Sequence, residues 1–455
     1  MTEPPRLREL DLLRFVAATA VMLHHFVGRI AGWGVDNHHN LPVLARLTHF
    51  GGFGVDLFFL ISGFVILMSA WDRGVGDFAV SRVARIFPAY WFAVSLALLL
   101  FFASGASLFE DGGGIGPLRS YLPNMTMLNV GIGVPPMEVV YWTLWAELHF
   151  YALAALLVWR GITYDRCVAF MVLWLLLGVF AREGRAGLLN GLLMPEWAPL
   201  FIAGMGFYLV YRFGPNLVLG LVIAACWALT VYYRVTIVNR ELVWPQVWDA
   251  VATGVVTFLF LLMLMVATGS LGMVRRRGFT ALGALTYPLY LIHETLARVM
   301  VERLGPHLGR WPLLAACCAV ALGGAHLVYR FVEQPAQRWM RPRLRGRWSR
   351  SGTGTGPRRT VRRRRGVPPR GREAVPAPTG GTPLTVPPPR RRARHRRRPA
   401  CVSWTCCGSS RPARSSCTTS RACAAPSGPA GTRRRSFPSS RPWRTSATSA
   451  SSCSS

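Results

Sequence analysis

The apolar positions of this chain fall into long unbroken blocks rather than alternating or heptad patterns. Blocks near 10–28, 52–70, 88–106, 139–158, 165–181, 197–212, 217–233, 248–269, 281–301 and 312–331 are mostly close to the length that crosses a hydrocarbon core. The pattern predicts an all-α fold, a polytopic transmembrane helical bundle of about ten helices. The first block has no evident cleavage site behind it and many blocks after it, so it reads as an anchor that stays in place.

Composition agrees. The 455 residues are 51% hydrophobic with a mean hydropathy of +0.30, which excludes an ordinary soluble domain. The net charge of +32 suggests a nucleic-acid partner only until it is located. Residues 341–455 hold 28 Arg against one acid, which leaves about +5 for the hydrophobic body, so no nucleic acid is expected as a partner. All 52 basic residues are Arg, as in a GC-rich coding sequence. Two domains follow: a membrane domain over 1–342 and a disordered Arg/Pro/Ser-rich tail over 343–455. The tail has two readings, a basic segment for anionic headgroups or an out-of-frame translation. Its six cysteines and its lack of Asp, Asn, Gln, Ile, Met and Tyr favour the second. Cys167, Cys226, Cys317 and Cys318 read as small apolar residues, and no metal-ligand spacing is evident. Arg placement, with Arg82/Arg85 and Arg275–Arg277 on one side and Arg234 among the opposite loops, predicts a multi-pass cell-membrane protein with both termini cytoplasmic.

Several blocks carry residues that a lipid-facing helix sheds. Arg14 and His25 are eleven positions apart. On a helix that places them on one face, separated by about 16 Å along the axis. Asp56 lies in the second block, Glu147 and His149 in the fourth, and His293, Glu294 and Arg298 in the ninth. Any one of these could be a polar contact between helices or a snorkelling end group. Spread over four blocks, they imply a shared polar interior, a catalytic cavity or a translocation path. Arg82 and Arg85 share a face just before Pro88, where the third block is expected to start. They suit a phosphate-rich ligand, or a positive-inside anchor.

Six stretches in order, LRELDLLRFVAATAVMLHH, GGFGVDLFFLISGFVI, SRVARIFPAYW, YWTLWAELHFY, LTYPLYLIH and VYRFVEQP, make the chain resemble the acyltransferase-3 family of integral membrane O-acyltransferases. The resemblance spans about residues 7–335. It implies transfer of an acyl group, often acetyl, from acyl-CoA to a hydroxyl of a cell-envelope polysaccharide, lipid-linked sugar or secreted metabolite. It maps the family's Arg–His pair onto Arg14 and His25, and its arginine motif onto Arg82 and Arg85, with Ser81 where another Arg is common. Its tryptophan-to-glutamate motif falls on Trp142, Glu147 and Tyr151, and its late Glu-x-Pro on Glu333 and Pro335.

Acyl transfer to an alcohol needs a base, and a histidine titrating near neutrality suits that task. The expected roles are His25 as general base, or less readily as acyl carrier. Glu147 is expected to orient it, with Asp56 as the second choice. Arg14, Arg82 and Arg85 are expected to hold the donor. Trp142, Tyr151, His293 and Glu333 support the site. No bound cofactor is expected, with acyl-CoA as co-substrate. Two other classes remain open: a transporter of a sugar, lipid or drug, for which no internal repeat is seen, and a scaffold anchored by the basic tail.

Overall fold

A computed structural model of the protein describes residues 7–28, 42–104, 116–241, 245–272 and 278–351. The chain divides into two compact units, Met1–Thr360 and Val361–Ser455, and every described residue belongs to the first. Arg29, the Arg275–Arg277 run and the tail beyond 351 lie outside the described residues.

The described residues contain helices and turns and no strand. Helix α1 (Arg8–Leu23) continues into a π turn, His24–Gly28. Helix α2 (Pro42–His49) leads through a 3₁₀ turn, Phe50–Phe53, into α3 (Gly54–Ala70). Then come α4 (Val75–Ser104), α5 (Pro117–Met125), α6 (Trp142–Arg160) and α7 (Tyr164–Glu183). They are followed by α8 (Gly187–Leu193), α9 (Ala198–Phe213), α10 (Leu217–Glu241) and α11 (Pro245–Ala267). The last are α12 (Phe279–Leu304), α13 (Arg310–Val328), a second π turn at Tyr329–Glu333, and α14 (Gln334–Ser351).

Nine helical stretches among the described residues are long and apolar enough to cross a membrane. The expected ninth block is not one of them. It is α12, whose 26 residues are long enough to cross but carry His293, Glu294, Arg298, Glu302 and Arg303. Most of its middle is buried against other helices, so His293, Glu294 and Arg298 face protein rather than lipid. Counting α12, the described residues hold ten long helical segments, one for each block that the hydropathy predicts.

Two boundaries differ from the sequence reading. Helix α4 starts at Val75, not near Pro88, so Arg82 and Arg85 stand inside the helix and Pro88 interrupts it. A proline in a helix interior removes a backbone hydrogen bond. Beside it, the Tyr287 hydroxyl on α12 donates to the Ile86 carbonyl at 3.0 Å and ties the two helices together near the proline. Helix α14 runs unbroken through the expected domain boundary at 342.

Packing is closest where glycines meet. Gly63 on α3 lies against Gly204 on α9, and a Cβ on either would strike the other helix's backbone. Helix α9 is buried throughout Ala198–Val210, which makes it a central post. Around it Phe201 stacks on Phe150 at 4.5 Å and meets Phe59 at 4.6 Å. In hydrocarbon such contacts hold helices together by shape and dispersion rather than by release of water. Gly54 brings α3 equally close to the Ala17 carbonyl of α1, and α1 in turn packs along α12.

Candidate active site

Two cavities lie in this bundle and share Val55 and Tyr290 as walls. The first encloses about 830 Å³ and is lined by Arg14 from α1, Arg82 and Arg85 from α4, Glu147 and Tyr151 from α6, and Tyr287 from α12. The second encloses about 970 Å³ and is lined by His24, His25, His49, Asp56, Trp142, Trp197 and Arg234.

The arginine cavity is internally braced. Arg82 donates to Ser69 Oγ at 2.6 Å, and its guanidinium lies near the rings of Phe78 and Tyr151. Tyr151 donates to Glu147 Oε1 at 2.5 Å, and Ser62 donates to the same oxygen at 3.1 Å. Tyr151 follows Glu147 by four positions, so one helical turn sets that contact. Three guanidiniums and one carboxylate leave a cavity of net positive charge, suited to an anion.

In the histidine cavity, His25 sits on the π turn that ends α1. Its Nδ1 lies 3.9 Å from Glu294 Oε2 on α12, and Glu294 Oε1 lies 3.7 Å from Arg298 one turn on. The His25 and His293 ring centroids are 5.3 Å apart. His293 is fully buried, and its Nδ1 donates to the carbonyls of Leu289 and Tyr290 at 3.1 and 2.8 Å. That leaves Nε2 as the acceptor nitrogen, with no hydrogen-bond partner among the described residues. Asp56 pairs with Arg234, whose guanidinium lies 4.1 Å from the Trp197 ring. Trp197 packs on Trp142 at 4.5 Å. Just outside α6, Glu138 accepts from Thr295. Burial, with Glu294 close by, pushes its carboxyl up to about 8.

Tyr290 divides the two cavities. Its hydroxyl lies 2.8 Å from Thr143 Oγ1 and donates to the Val140 carbonyl at 3.1 Å, which fixes the tip of the ring.

The sequence-predicted residues sort unevenly over this geometry. Arg14, Arg82 and Arg85 do converge on one cavity. Glu147 does not stand beside His25: it lines the arginine cavity, bonded to Tyr151 and Ser62. The carboxylate beside His25 is Glu294. The reason is register on α6, where Trp142 reaches the histidine cavity and Glu147 and Tyr151, farther along the helix, reach the other. Asp56 shares the histidine cavity with His25. His293 packs against His25 and lines neither cavity. Glu333 is buried on the second π turn, bonded by Gln337 at 2.8 Å and within the field of Arg85. Arg234, expected in a loop, belongs to α10, which runs longer than its apolar block and carries the guanidinium to Asp56.

Ser62, Trp197 and Tyr290 were not singled out in the sequence, since each is an ordinary residue type there until its neighbours are known. Glu294 and Arg298 were visible as charges in an apolar block. Their partner was not, because the π turn that aims His25 at them leaves no compositional mark.

Long membrane-spanning helices around an arginine-lined cavity and a histidine–carboxylate cavity define a multi-pass membrane protein with a polar interior. The chain belongs to the acyltransferase-3 family, whose acyltransferase domain matches residues 7–330. It is 26% identical over 379 residues to the acyltransferase MdmB of Streptomyces mycarofaciens, covering 74% of this chain and 93% of that protein. No solved structure matches the chain. The protein is therefore a membrane acyltransferase, and the transporter and scaffold readings give way to it.

Proposed function

We propose that the protein transfers an acyl group, acetyl in the simplest case, from acyl-CoA to a hydroxyl of a cell-envelope saccharide, lipid-linked sugar or secreted metabolite. The observation that carries this reading is the junction of the two cavities at Val55 and Tyr290. A donor bearing phosphates suits the side with Arg14, Arg82 and Arg85, and a neutral alcohol suits the side with His25. With the N-terminus cytoplasmic, the arginines open toward the acyl-CoA pool and the acceptor arrives from the other face or from the bilayer.

In this mechanism His25 takes the acceptor's hydroxyl proton as its oxygen attacks the thioester carbonyl. The C–S bond then breaks, the CoA sulfur leaves as thiolate, and it takes up the proton held by His25. The products are the ester and free CoA. Glu294 steadies the imidazole through Nδ1, so Nε2 is the nitrogen that accepts the proton. Arg298 sets its guanidinium beside Glu294, 3.7 Å away. The developing charge on the thioester oxygen lies toward the arginine cavity, where fixed cations stabilise it. Trp142 and Trp197 give the acceptor a flat apolar wall, and the Asp56–Arg234 pair offers it hydrogen bonds.

The test is release of free CoA from acetyl-CoA by membranes holding the protein, with and without an extract of cell envelope and metabolites. It is run on the full chain, on a chain ending at residue 351, and on His25→Ala. Extract-dependent release, kept by the shortened chain and lost in His25→Ala, supports the reading. Equal release in His25→Ala would remove His25 from the mechanism.

A further inference from the structure

A third cavity borders the arginine cavity and differs from it in chemistry. It is an open groove between α4 and α6, with Val83, Leu128 and Ala152 exposed along it, and it shares Arg82, Ile86, Leu144, Glu147 and Tyr151 with its neighbour. Every charged lining residue is among those five, and the rest of the wall is apolar. Ala79, Val83 and Phe87 form one side, and Leu148, Ala152 and Ala155 the other. Two of the α6 residues are alanines three positions apart, so that face of the helix is a shallow trough. Met127 and Leu128 also line it.

We propose that this groove is the slot for the donor's acyl chain, so that the enzyme uses acyl-CoA with chains well beyond acetyl. The inference rests on the acyl-transfer reading above and deepens it. The shape asks for an amphipathic occupant: a polar head at Arg82, Glu147 and Tyr151 and a hydrocarbon tail between α4 and α6. Two such molecules would be at hand, the acyl donor and a lipid-linked acceptor. Position separates them. The groove opens into the cavity of the three arginines and shares no lining residue with the cavity of His25. A chain seated here belongs to the molecule the arginines hold, which is the donor. An acceptor must put its hydroxyl at His25 and would keep its own tail on that side. An acetyl group is one methyl and leaves the groove empty, whereas each methylene moved from water into it favours binding by about fourfold.

The experiment compares acetyl-CoA and octanoyl-CoA as donors with the full chain in membranes plus extract, alongside Ala152→Phe and Val83→Trp, which fill the groove from opposite walls. Both positions are on the outer side of their helices and outside the arginine and histidine cavities. The parent is expected to use octanoyl-CoA with kcat/KM at least equal to that for acetyl-CoA. Each variant should lose about tenfold or more on octanoyl-CoA and stay within about twofold on acetyl-CoA. A parent that turns over acetyl-CoA but not octanoyl-CoA, or variants that change both donors alike, would overturn the slot. Binding is read separately with an octanoyl-CoA carrying a terminal photoreactive diazirine. Labelling of α4 and α6 that both variants abolish supports the slot even in a preparation that turns over no donor. In that case the transfer reading fails and the slot stands. Turnover of octanoyl-CoA with labelling confined to the histidine cavity would place the chain elsewhere.

Discussion

Glu294 Oε2 stands 3.9 Å from Nδ1 of His25, while Glu147 is tied to Tyr151 in the neighbouring cavity. The 3.9 Å gap is longer than a hydrogen bond, and contacts of this kind tighten when substrate arrives. The two carboxylates should therefore have separable effects. Glu294→Gln is expected to lower kcat about 10- to 100-fold with donor KM nearly unchanged, and Glu147→Gln to act mainly on donor KM. Steady-state kinetics on both variants decides it, and a kcat loss confined to Glu147→Gln would reverse the assignment.

Arg82 is held by geometry as much as by charge. It reaches Ser69 at 2.6 Å while its flat guanidinium lies by Phe78 and Tyr151. Lysine keeps the charge but has neither the plane nor the fork. Arg82→Lys should raise KM for acyl-CoA about tenfold, a cost of about 1.4 kcal/mol. A KM within about twofold of the parent would mean that charge alone matters at this position.

The contact between Gly63 and Gly204 leaves no room for a methyl group. Gly63→Ala should destabilise the folded protein by about 1–3 kcal/mol, the usual cost of overpacking. Gly254 on α11 has open space where its Cβ would be. Gly254→Ala should be neutral or gain up to about 1 kcal/mol from helix propensity. Thermal unfolding in detergent compares them, and equal midpoints for the two variants would contradict the close crossing.

Glu138 holds its proton more tightly folded than unfolded, since burial and Glu294 raise its carboxyl from 4.5 to about 8. The folded state thus binds the extra proton between those values, and stability falls as pH rises through that window. Above about 8 the loss is complete, and below about 4.5 it is absent. Glu138→Gln removes the titrating group and keeps an acceptor for Thr295. Its unfolding midpoint should exceed the parent's at pH 9, and that advantage should shrink as pH is lowered toward 5. A gap that does not change with pH would show that Glu138 does not titrate in this range.

How far the sequence leads depends on what kind of contact decides each feature. The long apolar blocks announce the bundle because crossing a bilayer imposes a length. Arg14, Arg82 and Arg85 are legible because a charge in an apolar block has few innocent explanations. The partnership of His25 was misread because it depends on two things with no local signature: the winding at the end of α1, and which side of Tyr290 each end of α6 reaches. Helix α4 was cut short because Pro88 reads as a helix start, whereas the helix runs through it from Val75 to Ser104.

The π turn at His24–Gly28 carries a consequence for counting. A π turn closes its hydrogen bonds over five residues where an α turn uses four, so it holds one residue more in the same winding. Removing one residue from it lets the segment close as ordinary helix and re-aims the side chains within the turn. Deleting Phe26 would leave His25 in the chain and change how the turn presents it. The chemistry at this end of α1 is thus written in the number of residues as well as in their identity, and a length change that preserves every charged side chain could silence it.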